Sequence, residues 1–212
     1  MTETSAGEQW LASAEADARR DPATMSRAFA LAARKVGRGP VRPDTDPAGV
    51  VHGAVEDAAR ARLVRALVGA HGDGAAPVLA ELYGRGDSAE RRGVLRGLDA
   101  VVEHGDGHGD DVPPAVATVG VELAQDALRA NELALVAAAM GPFGSSHLDA
   151  HDWRHAVLKL VFMGISLDAV WGLDARRDDE LARMARDFAA ERRAAGRPVP
   201  ADISRLTSER SA

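Results

Sequence analysis

The chain has 212 residues, 46% hydrophobic and 27% charged, with no cysteine. That length buries a core unaided, and the missing thiols exclude disulfide frameworks, thiolate metal centres and cysteine nucleophiles. A formal net charge of -6 excludes a general nucleic-acid binder, because phosphate contacts need a dense basic surface. Only Lys35 and Lys159 among the 26 basic residues are lysines, a bias that a GC-rich genome produces together with abundant alanine.

Met1 to Glu8 is polar and acidic, without the basic and apolar regions of a secretory signal, so a cytoplasmic protein is expected. The most apolar stretch, Ala156 to Ile165, contains Lys159 and falls far short of the ~20 residues of a spanning helix. It reads as a buried core helix, and the protein is not membrane-spanning.

The spacing of apolar residues is helical nearly throughout, with no sustained period-2 alternation. The first helix is predicted from Gly7 to Arg20. Asp21-Pro22 then supplies an N-cap and an N1 proline for a second helix ending near Val36, with Met25 and Phe29 inward. Residues 1–36 are expected to form a helical hairpin packed on a main body at 48–203. Gly37 to Pro47, with three prolines and two glycines, is the linker between them.

In the main body Leu63, Leu67, Val68, Val78, Leu79 and Leu82 recur at helical spacing, broken at His71 to Gly74. Asp87 and Glu90 are a capping pair for a helix from Ser88 to Val102. Helices are expected over Ala115–Ala130 and Glu132–Met140, then a turn at Gly141–Ser146 and a helix from about Asp149. A turn-rich connection at Ser166–Asp174 leads to a last amphipathic helix, Asp178–Ala195, with residues 204–212 as a disordered tail. The fold class is all-α without significant sheet. Helix pairs spaced by about 30 to 45 residues fit a HEAT- or armadillo-like α–α superhelix, and an irregular helical bundle fits equally well.

Histidines 147, 151 and 155 recur at four-residue intervals, so one helix through all three would put them on a shared face beside Asp149 and Asp152. On an ideal helix that row spans about 12 Å, so at most two of them, His147 and His151, share a divalent metal. The acidic and glycine-rich loop from Glu103 to Asp111 lacks the spacing of an EF-hand. P-loop, dinucleotide and serine-elbow motifs are absent. Arginines at 27, 34, 91, 92, 129, 176 and 177 fork onto carboxylate or phosphate if several face one concavity. Five of the eight aromatics, Phe143, Trp153, Phe162, Trp171 and Phe188, lie in the C-terminal third, where the best-packed core is expected. Lys159, amid apolar neighbours, needs a carboxylate or carbonyl partner; Asp174 and Glu191 are candidates.

The run from His147 to Ile203 carries His-x3-His-x-Trp, Val-Leu-Lys, Gly-Leu-Asp-x-Arg and Glu-Leu-Ala-Arg-Met elements. Together with DPATMSRAFALAARKVGR, AERRGVLRGL and DALRAN, these resemble the EboA family from about Trp10 to Ile203. The resemblance implies a metabolite-traffic protein, encoded beside a prenyltransferase-like protein and a TatD-like hydrolase in secondary-metabolite clusters that move a precursor towards the periplasm. Carried onto matching positions, it singles out Arg27, Arg34, Arg129, Asn131, His147, His151, Trp153, Lys159, Asp174 and Arg176. The leading expectation is a non-catalytic binding or scaffold component that receives a small anionic metabolite or a partner protein from the same cluster. The alternative is a metal-assisted hydrolase or isomerase using His147 and His151.

Overall fold

The computed structural model describes residues 5–105, 109 and 111–208; the regular structure in them is helical, and the one extended pairing is an isolated bridge between Pro40 and Ala54. Local signals set the helix starts. Ser5 accepts the Glu8 amide at the head of α1 (Ala6–Arg20). Asp21 accepts the Ala23 amide, and Pro22 opens a 3-10 turn into α2 (Met25–Val36). After α3 (Val55–His71) and α4 (Ala76–Arg85), the Asp87–Glu90 capping box forms both of its hydrogen bonds at the start of α5 (Ser88–His104).

Then follow α6 (Pro114–Arg129), α7 (Leu133–Ala138), α8 (Pro142–His147), α9 (Ala150–Met163), α10 (Leu173–Arg176), α11 (Asp179–Ala194) and α12 (Ile203–Thr207). Through α6 the helices are layered. Helices α1, α3 and α5 lie side by side, and α2, α4 and α6 form a second row, as in stacked helix pairs. The α3–α5 contact is the most extensive, and glycine makes it so. A Cβ at Gly93 would run into the Arg60 side chain, and one at Gly97 into Val64. Beyond α6 the longer helices α9 and α11 alternate with the short α7, α8, α10 and α12, so the layering of a superhelix gives way to a bundle-like end.

One continuous core runs from Leu11 through Met25, Phe29, Leu63, Leu98 and Trp153 to Leu206, so the N-terminal hairpin shares it with the rest of the chain. Polar clasps reinforce that join: Arg62 pairs with Glu8 and Glu15, and His71 bonds the Ala18 carbonyl. The stretch expected as a linker folds back on itself, because buried Asp46 accepts the amides of Val50, Val51 and His52. Burial alone would raise the Asp46 pKa, but those three donors outweigh it and hold the carboxyl below its usual value.

Two expectations give way. The turn at Gly141–Ser146 is the helix α8. The helix ending at Ala194 is not the last, since α12 occupies part of the expected tail and buries Ile203 and Leu206; residues 209–212 lie outside the described ones. Of the five aromatics of the C-terminal third, Phe143 and Trp153 are buried, Phe188 is half-buried, and Phe162 and Trp171 are exposed. The row of three histidines is not on one helix, because α8 ends at His147 and Asp149 caps α9, which carries His151 and His155. Among the described residues no helix is long and apolar enough to cross a membrane.

Candidate functional site

The arginine-based expectation separates into three places. The first is a groove of about 700 Å³ between α1 and α2, within the range of small-molecule sites. Arg27 and Arg34 are seven residues apart, two turns of α2, and with Lys35 they line one side of it. Trp10, half-buried, and Leu31 form its apolar walls. None of these three cations forms an ion pair among the described residues, and all three are exposed. The two groove carboxylates are engaged elsewhere: Asp17 with Arg20, and Asp21 with the Ala23 amide.

The second place is a shallow surface between α6 and α9, lined by Arg129, Lys159, Gln125, Asp152 and His155. Its charges are largely spent. Lys159 donates to the Leu128 carbonyl at 2.5 Å and the Ala130 carbonyl at 2.7 Å, at the C-terminal end of α6. The carbonyls left over at a helix end, together with the negative end of its dipole, explain why a lysine belongs there. Asp174 and Glu191 are not its partners. Arg129 pairs at 3.6 Å with Asp126 while remaining largely exposed, and the neighbouring Asn131 is exposed.

At the third place Arg176 lies over Trp153, its guanidinium carbon 4.8 Å from the ring centroid, and donates to the Ser145 and Leu148 carbonyls at the end of α8. Burial lowers the Arg176 pKa. Asp174 faces solvent beside Arg177 at 3.3 Å. The arrangement ties α8, α9 and α10 together, and both side chains are committed to it.

The histidines divide in the same way. His147 stacks on Phe143 at 4.2 Å between centroids, with Nδ1 3.1 Å from the Phe143 carbonyl, whereas His151 lies against His155 at 4.4 Å. Among the described residues no group of three or more His, Asp or Glu side chains is placed to hold a metal ion. The acidic loop is covered only in part, residues 106–108 and 110 lying outside the described ones.

One constellation is not visible in the sequence reading. Arg92, Arg96, Asp99 and Glu103 recur at i, i+4, i+7 and i+11 on α5, and Asp57 meets them from the first turn of α3. Asp57 Oδ2 accepts from Arg92 Nε at 2.6 Å and from the Ala54 amide at 2.8 Å. Asp99 Oδ1 accepts the Phe143 amide at 3.0 Å, and Arg96 Nη1 stands 3.6 Å from Oδ2. Arg96 is pinned by a 2.7 Å bond from Nη2 to the Val51 carbonyl. Three buried atoms here have no hydrogen-bond partner: Asp57 Oδ1, Asp99 Oδ2 and Arg96 Nε. Each such atom costs about 1–3 kcal/mol, which a core does not ordinarily tolerate three times over in one spot. Burial pushes the Asp99 carboxyl up to about 7, against the opposing pull of Arg96 and the Phe143 amide. Asp57, Arg96 and Asp99 line a cleft of about 200 Å³, with exposed His52 and Glu103 at its mouth. The i, i+4, i+7, i+11 row was the available signal; the Asp57 partner, 35 residues from Arg92, was not.

The model of the family described as "Metabolite traffic protein EboA" matches residues 50–208. The match contains the α3–α5 cleft, the Lys159 surface and the Trp153–Arg176 pair, and leaves out residues 10–49, which the sequence resemblance had included. Comparison with curated proteins and with solved structures gives no match.

Proposed function

Because the chain belongs to the EboA family of metabolite traffic proteins, we propose that it is a non-catalytic binding component of such a system, receiving a small anionic metabolite in the α1–α2 groove. The carrying observation is that Arg27, Arg34 and Lys35, three cations without ion pairs among the described residues, line one groove of ligand size beside the apolar Trp10 and Leu31. Two guanidinium groups fork onto carboxylate or phosphate oxygens, Lys35 adds a point charge, and the indole supports the ligand's carbon body. The groove lies outside the family-matched stretch, but its helices are packed on α3 and share the core, so it is part of the same folded unit. Of the positions first singled out, this reading retains Arg27 and Arg34 as ligand contacts and gives Lys159 and Arg176 structural roles. Proteins encoded in the same cluster would deliver or accept the ligand.

Calorimetric titration with phenyl phosphate tests this reading, using the parent and an Arg27→Glu, Arg34→Glu double variant. Both positions are exposed, so folding should survive. The parent should bind saturably and the variant about tenfold or more weakly. Equal affinity in the two proteins, or no binding by the parent, would reject the groove.

A further inference from the structure

We propose that the cleft between the first turn of α3 and the middle of α5 is a second site, one that takes a protonated primary amine between the free oxygens of Asp57 and Asp99. The cleft shares no lining residue with the α1–α2 groove, so the inference stands apart from the function proposed above.

Four observations lead there. First, the side chains of Asp57 and Asp99 line the cleft and are only 2% and 8% exposed, yet each keeps one buried oxygen that accepts no hydrogen bond, that of Asp99 with Arg96 Nη1 standing 3.6 Å away. Such atoms call for a donor. Second, three carboxylates, Asp57, Asp99 and Glu103, stand against two guanidinium groups, Arg96 in the lining and Arg92 paired with Asp57, so the remaining excess of negative charge favours a cation over an anion. Third, the donor is better an ammonium than a metal ion, since no three ligating side chains converge among the described residues. An ammonium is held by two carboxylate oxygens, with its third N–H left to water at the cleft mouth. Fourth, Arg96 is fixed by Val51 and presents an Nε–H without a partner, so a hydroxyl or carbonyl oxygen next to the amine would be held as well.

The space suits that ligand end. A volume of about 200 Å³ accommodates a small head group, with the rest of the molecule emerging between exposed His52 and Glu103. Gly53, at φ +75, lies so close that a Cβ there would stand 3.2 Å from Asp57 Oδ2 and 3.7 Å from Arg96 Nε, inside the polar floor. The proton affinity of Asp99 agrees with the assignment. With its carboxyl pushed up to about 7, it holds a proton where an ammonium would serve instead. The charged and titratable groups around it are Arg96 and Glu103 on its own helix, Asp57 from α3 and His52 from the preceding loop; α8 contributes the uncharged Phe143 amide.

The probe is ethanolamine, whose ammonium and hydroxyl match the donor–acceptor order of the floor; propane-1,2-diol is the uncharged control. Amide chemical-shift perturbation by NMR, on the full chain, follows both. Ethanolamine should saturate shifts at 51–58 and 96–103, while the diol leaves them unmoved. Affinity should rise about tenfold from pH 6 to pH 8 as the competing proton leaves Asp99. Asp99→Asn should weaken binding about tenfold or more and abolish that pH dependence. Glu103→Gln, at an exposed position that does not threaten folding, should weaken it about threefold. Absence of saturable shifts with ethanolamine, an equal response to the diol, or Asp99→Asn and Glu103→Gln variants that both bind like the parent would overturn the assignment.

Discussion

Asp99→Asn tests the buried-carboxyl account through stability alone, without any ligand. In the folded chain burial holds this carboxyl at about 7, whereas its ordinary value is 3.8. The folded state therefore binds the proton more tightly than the unfolded one. The resulting stabilisation is fully present below 3.8 and is lost as pH rises through about 7. Between pH 5 and pH 8 the linkage relation gives a loss of about 2–3 kcal/mol from this residue. Asparagine keeps an oxygen for the Phe143 amide and cannot ionise, so the variant lacks that loss. Urea denaturation of both proteins at pH 5, 6, 7 and 8 reads the effect. The difference in unfolding free energy, variant minus parent, should climb by about 2–3 kcal/mol across the series, whatever its starting value. Other titrating groups are common to both chains and cancel. A difference that stays flat across the range would refute the claim that Asp99 keeps a proton near neutrality.

Three further substitutions address packing and helix ends. Arg176→Ala removes two charge-assisted bonds to the Ser145 and Leu148 carbonyls and the cation over Trp153; it should destabilise by about 3 kcal/mol in urea melts, with Arg176→Lys recovering less than half because an ammonium cannot fork. Lys159→Met leaves the Leu128 and Ala130 carbonyls without their donor and should cost about 2 kcal/mol, and no added ligand should change that figure if the lysine is structural. Gly97→Ala forces a methyl group against Val64 at the closest α3–α5 approach and should lower stability by about 3 kcal/mol, checked by thermal unfolding with retained helical circular dichroism at 20 °C as the folding control.

What was legible in the sequence was local. Asp87 with Glu90 announces a helix start because the capping partners lie within three residues, and that start forms as read; Asp21-Pro22 is capped as expected but opens a 3-10 turn, so α2 itself begins at Met25. Helix α8 escaped notice because Gly141, Gly144 and two serines argue for a turn, while packing decides otherwise. A Cβ at Gly144 would strike the Ala139 carbonyl, one at Gly141 would strike Asp99, and Asp99 caps the Phe143 amide from another helix. The four-residue spacing would put His147 on the helix of His151 only if one helix ran through both, and Asp149 between them is itself the N-cap that starts the second helix. Lys159, for which a carboxylate or carbonyl partner was expected, ends on two carbonyls rather than on Asp174 or Glu191, and Arg176 also ends on two, partners that lie 28–31 residues away and that spacing does not name. The cleft escaped for the complementary reason. Its row on α5 was there to read, but the buried oxygens of Asp57 acquire meaning only when α3 is laid beside it.

The central claim is that this chain carries a small anion on the cations of α2. Untargeted mass spectrometry of small molecules released from protein purified out of its native host tests it most directly, with the Arg27→Glu, Arg34→Glu double variant purified alongside. The account predicts an anionic compound enriched with the parent and lost from the variant. Recovery of the same compound from both proteins, or of no anion from either, would contradict it.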